Sequence, residues 1–71
     1  MSVITVTAIQ GGWVVEHPVE TTPLMFLAGG KAEQKARELA ERAYRIGMPV
    51  EVQIYDMGGR LAGRFHYGAH A

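Results

Sequence analysis

One stretch of the chain has the apolar period of a helix, and this stretch constrains the fold more than any other feature. From Lys31 to Ile46 the apolar residues recur three or four positions apart, on a single helical stripe. The stripe consists of Ala32, Ala36, Leu39, Ala40, Ala43 and Tyr44. Alanine lets a helix approach a flat surface closely, although each alanine buries less apolar area than a leucine would. We therefore predict an amphipathic helix over Lys31 to Ile46 that covers one face of a sheet.

Alternating stretches on both sides of this helix predict the sheet itself. Residues 1–9 and 13–17 flank a Gln-Gly-Gly turn and form a first hairpin, and Leu24 to Leu27 is an apolar run of strand length. Val50 to Tyr55 and Arg60 to Tyr67 form a second hairpin around a glycine-containing turn. The expected fold is α+β, in the order β-β-(short β)-α-β-β, with an antiparallel sheet and one helix packed on one face.

Side-chain alternation divides the last predicted strand between two faces. One side carries Leu61, Gly63, Phe65 and Tyr67, and the other carries Arg60, Arg64 and His66. Residues 68–71 are expected to be a frayed tail, and residues 1–71 a single domain.

Composition narrows the class of protein. The 71 residues include no cysteine, which removes disulfides and thiolate metal sites and favours a reducing compartment, so we expect a cytoplasmic protein. Seven basic and seven acidic residues balance, and no apolar run is long enough to span a bilayer. A core of this size usually needs a supplement, and self-association into a homodimer is the one that this composition favours.

Catalytic, metal and cofactor sites are not predicted. Of the three histidines, His66 lies on a strand and His70 in the tail, so their spacing of four does not bring them together as it would on a helix. Nucleophilic catalysis needs an activated nucleophile with a base, and the single serine is Ser2. We expect a protein that is not an enzyme and that binds no cofactor or metal.

The more informative surface is the sheet face away from the helix. Tyr55, Arg60, Arg64 and His66 are candidates for that face, where aromatic and cationic side chains could stack bases and neutralise phosphates. Ordinary cross-strand pairing of polar residues is the alternative. Trp13 would add to a partner-binding patch if it pointed outward, but a lone tryptophan more often anchors a core.

Several segments resemble a small uncharacterised bacterial family. These are the Gly11-Gly12-Trp13-Val14-Val15 run, Phe26, the alanine-spaced helix from Ala32 to Ala40, and the strand and turn from Val50 to Arg60. The glycine-aromatic-valine hairpin, the short strand and the helix are also similar, more distantly, to HicB-type antitoxins. That similarity implies a partial RNase-H-like fold, although residues 18–23 differ from the proline-rich segment of those antitoxins.

Two functional hypotheses follow. The first is a small interaction module that binds a partner protein, as an antitoxin, a phage-type inhibitor or a regulatory adaptor does. The second is a nucleic-acid-binding module that uses the exposed sheet face and the basic C-terminal hairpin.

Overall fold

The computed structural model describes residues 2–18 and 22–68, and its element order is the predicted one. In chain order the elements are β1 (Ser2–Ile9), β2 (Gly12–Glu16), β3 (Leu24–Phe26), α1 (Gly29–Arg45), β4 (Val50–Tyr55) and β5 (Leu61–Tyr67). The short third strand is therefore present, and the helix begins two residues before the predicted start. The predicted tail lies outside the described residues except for Gly68.

The five strands form one mixed sheet in the order β3-β2-β1-β4-β5. Every neighbouring pair is antiparallel except β1 and β4, which run parallel with Ser2 opposite Val50 and Ile4 opposite Val52. The prediction of an antiparallel sheet is therefore wrong for the pair of β1 and β4. The physical reason is the helix: α1 carries the chain back across the sheet, so β4 starts at the same end as β1, which is how parallel strands are joined.

The core lies between α1 and one face of the sheet. Five buried aliphatic side chains from three strands, Ile4, Val6, Val15, Val50 and Val52, meet four buried alanines of the helix, Ala32, Ala36, Ala40 and Ala43. This arrangement confirms the predicted packing for the four alanines and in part for Leu39, whereas Tyr44, which was predicted on the same stripe, is 51% exposed. Because alanine has no side chain beyond Cβ, the helix lies close to the strands and the core is thin.

The helix ends at Arg45, one residue before the predicted end, and a glycine follows its C-cap. Gly47 has a φ of 86°, and its N–H donates to the carbonyl of Tyr44, while the N–H of Met48 donates to the carbonyl of Ala43. These two hydrogen bonds satisfy carbonyls of the last turn, and the left-handed conformation needs glycine. On the outer face, Arg37 pairs with Glu33 at 3.0 Å and Arg45 pairs with Glu41 at 2.9 Å.

A β-bulge changes the predicted facing of β5. Ile54 lies opposite Gly63, but the next residue, Tyr55, lies opposite Leu61. The extra residue, Ala62, shifts the alternation by one position. Leu61 therefore lies on the same face as Tyr55, and the prediction that it shares a side with Phe65 is wrong.

Candidate functional site

The sheet has a covered face and an open face, which the strand register separates. Residues directly opposite each other in a ladder place their side chains on the same side. Buried Val6 and Val15 are partners under the helix, so the intervening pair of Thr7 and Val14 points away from it. We use the name open face for the side of the sheet that carries Thr7 and Val14.

An apolar row crosses the open face through all five strands. Met25 lies opposite Val14, Val14 opposite Thr7, Thr7 opposite Tyr55, and Tyr55 opposite Leu61. The two ends of the row are the most exposed, with Met25 64% and Leu61 48% accessible. Aliphatic, thioether and aromatic groups thus form a row one residue wide, with the threonine Thr7 at its centre.

A polar cluster occupies the neighbouring part of the open face. Glu51, Gln53 and Tyr55 follow each other along β4 at every second residue. The Tyr55 hydroxyl donates to Oε1 of Gln53, and Nε2 of Gln53 donates to Oε2 of Glu51, both at 2.6 Å. The side chains of β4 on this face are therefore held in one hydrogen-bonded chain.

Two side chains of β5, Arg64 and His66, border the same cluster. Arg64 Nε lies 3.9 Å and His66 Nδ1 lies 4.0 Å from Oε1 of Glu51, whose side chain is only 13% exposed. These distances give electrostatic attraction without a short hydrogen bond. The carboxylate of Glu51 thus offsets much of the positive charge that Arg64 brings to the open face, and it lies beside the His66 ring.

The five candidate residues from the sequence do not form one surface. Tyr55, Arg64 and His66 share the open face, as predicted for that group. Trp13 lies on the covered face, where it packs against the core beside the start of α1, because it is opposite Ala8 and Phe26 in the ladder. Trp13 therefore anchors the core and is not part of the open face.

Arg60 lies in the exposed turn between β4 and β5. The Asp56 carboxylate accepts hydrogen bonds from the backbone N–H groups of Gly58 and Arg60, both at 2.9 Å, and Gly59 has a φ of 79°. Asp56 thus fixes the backbone at Arg60. Arg60 precedes β5, which begins at Leu61, so the prediction that Arg60 shares one side of that strand with Arg64 and His66 is wrong.

The covered face has one further cationic contact, near its edge. The guanidinium carbon of Arg37 lies 3.8 Å from the centre of the Phe65 ring. The hydrogen bond to Glu33 raises the pKa of Arg37 above its ordinary value, so this residue stays charged at any physiological pH. Arg37 and Phe65 join the helix to β5.

Concave features lie away from the open face. A groove of about 500 Å³ at the C-terminal end of α1 is lined by His17, Leu39, Arg42, Ala43, Arg45, Ile46 and Met48. Within residues 2–18 and 22–68, no three histidine, cysteine, aspartate or glutamate side chains come together as metal ligands would. In the same ranges, no helix is long and apolar enough to cross a bilayer.

Sequence reasoning placed Tyr55, Arg64 and His66 together but missed the apolar row and the central position of Glu51. The row could not be seen because its members come from five separate strands whose order is set by the helix crossover. The face of Trp13, by contrast, had a signal. Trp13 and Val15 are two residues apart and share one face of β2, and Val14 and Glu16 share the other. The charged Glu16 marks its own face as the one that meets water.

Comparison of the chain with protein-family models, curated proteins and solved structures gives no match. The geometry of the open face is therefore the basis of the functional argument.

Proposed function

We propose that this chain is a non-enzymatic interaction module that binds a partner protein through the open face of its sheet. The observation that carries the proposal is the apolar row from Met25 to Leu61, which crosses five strands on the side that α1 does not cover. Apolar side chains gathered on one uncovered face are typical of protein-binding surfaces.

The polar cluster beside the row supports the same proposal. Interfaces combine an apolar centre with polar groups that fix the orientation of the partner. Glu51, Gln53 and Tyr55 are already ordered by hydrogen bonds, so their positions cost little conformational entropy on binding. A partner would place its own apolar side chains on the row and polar groups opposite this cluster.

An antitoxin, a phage-type inhibitor or a regulatory adaptor is the kind of protein that we propose, acting in the cytoplasm. The resemblance of the hairpin, short strand and helix to HicB-type antitoxins supports this choice, and the lack of cysteine fits a reducing compartment. In each of these roles the protein acts by occupying a surface of its partner.

Nucleic-acid binding is the second candidate, and the shared face of Tyr55, Arg64 and His66 favours it. Phosphate neutralisation normally dominates the affinity for nucleic acids. Here Glu51 lies within 4.0 Å of both Arg64 and His66, and Glu16 points to the same face opposite Thr5. These carboxylates would repel phosphates, so a protein partner is better supported.

Affinity capture from the source cells tests the proposal. Met25→Glu and Thr7→Arg place charges at the end and the centre of the row, and we expect each to reduce capture of the partner by about tenfold or more, as loss of a central apolar contact does. Ile46→Glu is the control, because Ile46 is 76% exposed but follows α1, away from the open face. The same proteins captured by all four chains would contradict the proposal.

Two variants distinguish the second candidate. The assay measures binding of a labelled oligonucleotide at low salt. Binding that is lost in the Arg60→Ala/Arg64→Ala double variant and kept in Met25→Glu would show that the partner is a nucleic acid and not a protein.

A further inference from the structure

The two edges of the sheet differ in how well they are protected against pairing with another strand. The β3 edge is only three residues long and directly follows Pro23. The β5 edge extends over seven residues, Leu61–Tyr67, without a proline, a lysine or an acidic residue. Short strands, prolines, charges and β-bulges are the usual protection of an edge. Of these, β5 has only the bulge at its start and the charge of Arg64.

The ladder shows which backbone groups face outward along β5. The N–H of Ser2 donates to the carbonyl of Pro49, whereas the residue directly opposite Ser2 is Val50. In a parallel ladder, such a residue hydrogen-bonds the two residues that flank its partner and not the partner itself. Val50, Val52 and Ile54 therefore direct their N–H and C=O groups toward β5. Their partners there are Tyr67, Phe65 and Gly63. The N–H and C=O groups of Arg64 and His66 consequently point away from β4, at the outer edge.

We propose that a second copy of this chain pairs with the outer edge of β5, antiparallel, about a two-fold axis through Phe65. In this register Arg64 lies opposite His66 of the other copy, and the outward groups of these residues form four backbone hydrogen bonds. Phe65 lies opposite its own counterpart, and Tyr67 lies opposite Gly63. The result is a continuous ten-stranded sheet with both helices on the same side.

The side chains favour this register over the one centred on Arg64. Centring the pair on Arg64 would place arginine directly opposite arginine, and like charges in that position are destabilising. Centring it on Phe65 puts the aromatic ring of Tyr67 over a glycine, which has no side chain of its own to cover the strand. The chain thus contains a complementary strand for its own edge.

The shape of the protomer leaves room for this pairing. The helix packs mainly against β1, β2 and β4, and it reaches β5 only through contacts such as that of Arg37 with Phe65. Two helices related by the axis would therefore stand apart, with the Phe65 rings between them. A thin core of valines and alanines also gives this chain a reason to gain stability by association.

This inference is independent of the proposed function, because it uses the edge of the sheet and not the open face. The test is sedimentation of the full chain, with His66→Pro and His66→Ala as a matched pair. Proline removes the outward N–H, which β4 does not need, whereas alanine removes the same side chain and keeps the N–H. We expect a dimer for the unmodified chain and for His66→Ala, and a dissociation constant raised at least about tenfold for His66→Pro.

Amide hydrogen exchange provides a second measurement, on the unmodified chain. Pairing protects the amides of Arg64 and His66 at high protein concentration and leaves them fast at low concentration. The amides of Gly63, Phe65 and Tyr67 bond β4 and stay protected at both. A monomer at every concentration, or a dimer in which Arg64 and His66 exchange freely, would overturn the inference.

Mixing Arg64→Cys chains with His66→Cys chains tests the register, since the chain has no other cysteine. Oxidation should link the two variants to each other and not Arg64→Cys to itself. A disulfide between two Arg64→Cys chains alone would instead place the axis at residue 64 and overturn the register.

Discussion

At the scale of single residues, two adjacent glycines differ in what surrounds them. A Cβ on Gly29 would lie 2.7 Å from Cε2 of Trp13, whereas one on Gly30 would have nothing within 4 Å. The indole therefore occupies space that only glycine leaves open at position 29. This contact explains why the helix starts with a glycine at the position where the chain passes over Trp13.

Gly29→Ala should destabilise the protein by about 1–3 kcal/mol, because the tryptophan ring or the helix must move. Gly30→Ala is the matched control and should stabilise it by about 0.4–1 kcal/mol, since alanine restricts the unfolded chain and fits the helix. Urea unfolding followed by Trp13 fluorescence measures both changes. Equal stabilities for the two variants would show that Trp13 does not pack against Gly29.

At the scale of elements, the sequence predicts each helix and strand but not how the strands are arranged. The change of period at Lys31 and the alternation in Val50 to Tyr55 are local signals, and both elements form. Which strands pair is a long-range property, set by α1 carrying β4 to the side of β1. The bulge at Ala62 is similarly hidden, because small alternating residues fit either register. The open face could only be assembled once both were known.

The fit between α1 and the sheet is the element-scale property that mutation can test. Ala36 is fully buried on the side of α1 that faces the sheet, and Ala36→Leu adds three carbons where the strands leave no room. We expect a loss of about 1–3 kcal/mol in the free energy of unfolding. Gln34→Leu is the control, because Gln34 is exposed on the same helix, and such a change usually stays within about 0.5 kcal/mol. If Ala36→Leu matched or exceeded the unmodified chain in stability, the close packing described for this face would be wrong.

At the scale of the whole molecule, stability and association are expected to be linked. Domains of this size rarely gain more than about 3–5 kcal/mol from one core, and four of the nine buried apolar residues in the described ranges are alanines. If folding is completed by pairing through β5, unfolding also separates the two copies, and mass action then makes the midpoint depend on protein concentration. The apparent free energy should rise by about 1.4 kcal/mol per mole of dimer for each tenfold increase in concentration.

Urea titrations at protein concentrations spanning two decades measure this dependence. The midpoint of the unmodified chain and of His66→Ala should rise with concentration, while that of His66→Pro should begin to rise only at protein concentrations at least about tenfold higher. The Met25→Glu variant should behave like the unmodified chain, because Met25 lies on β3, at the opposite edge of the sheet from β5. A dependence abolished by Met25→Glu but kept by His66→Pro would move self-association from the β5 edge to the open face, where it would compete with the proposed partner.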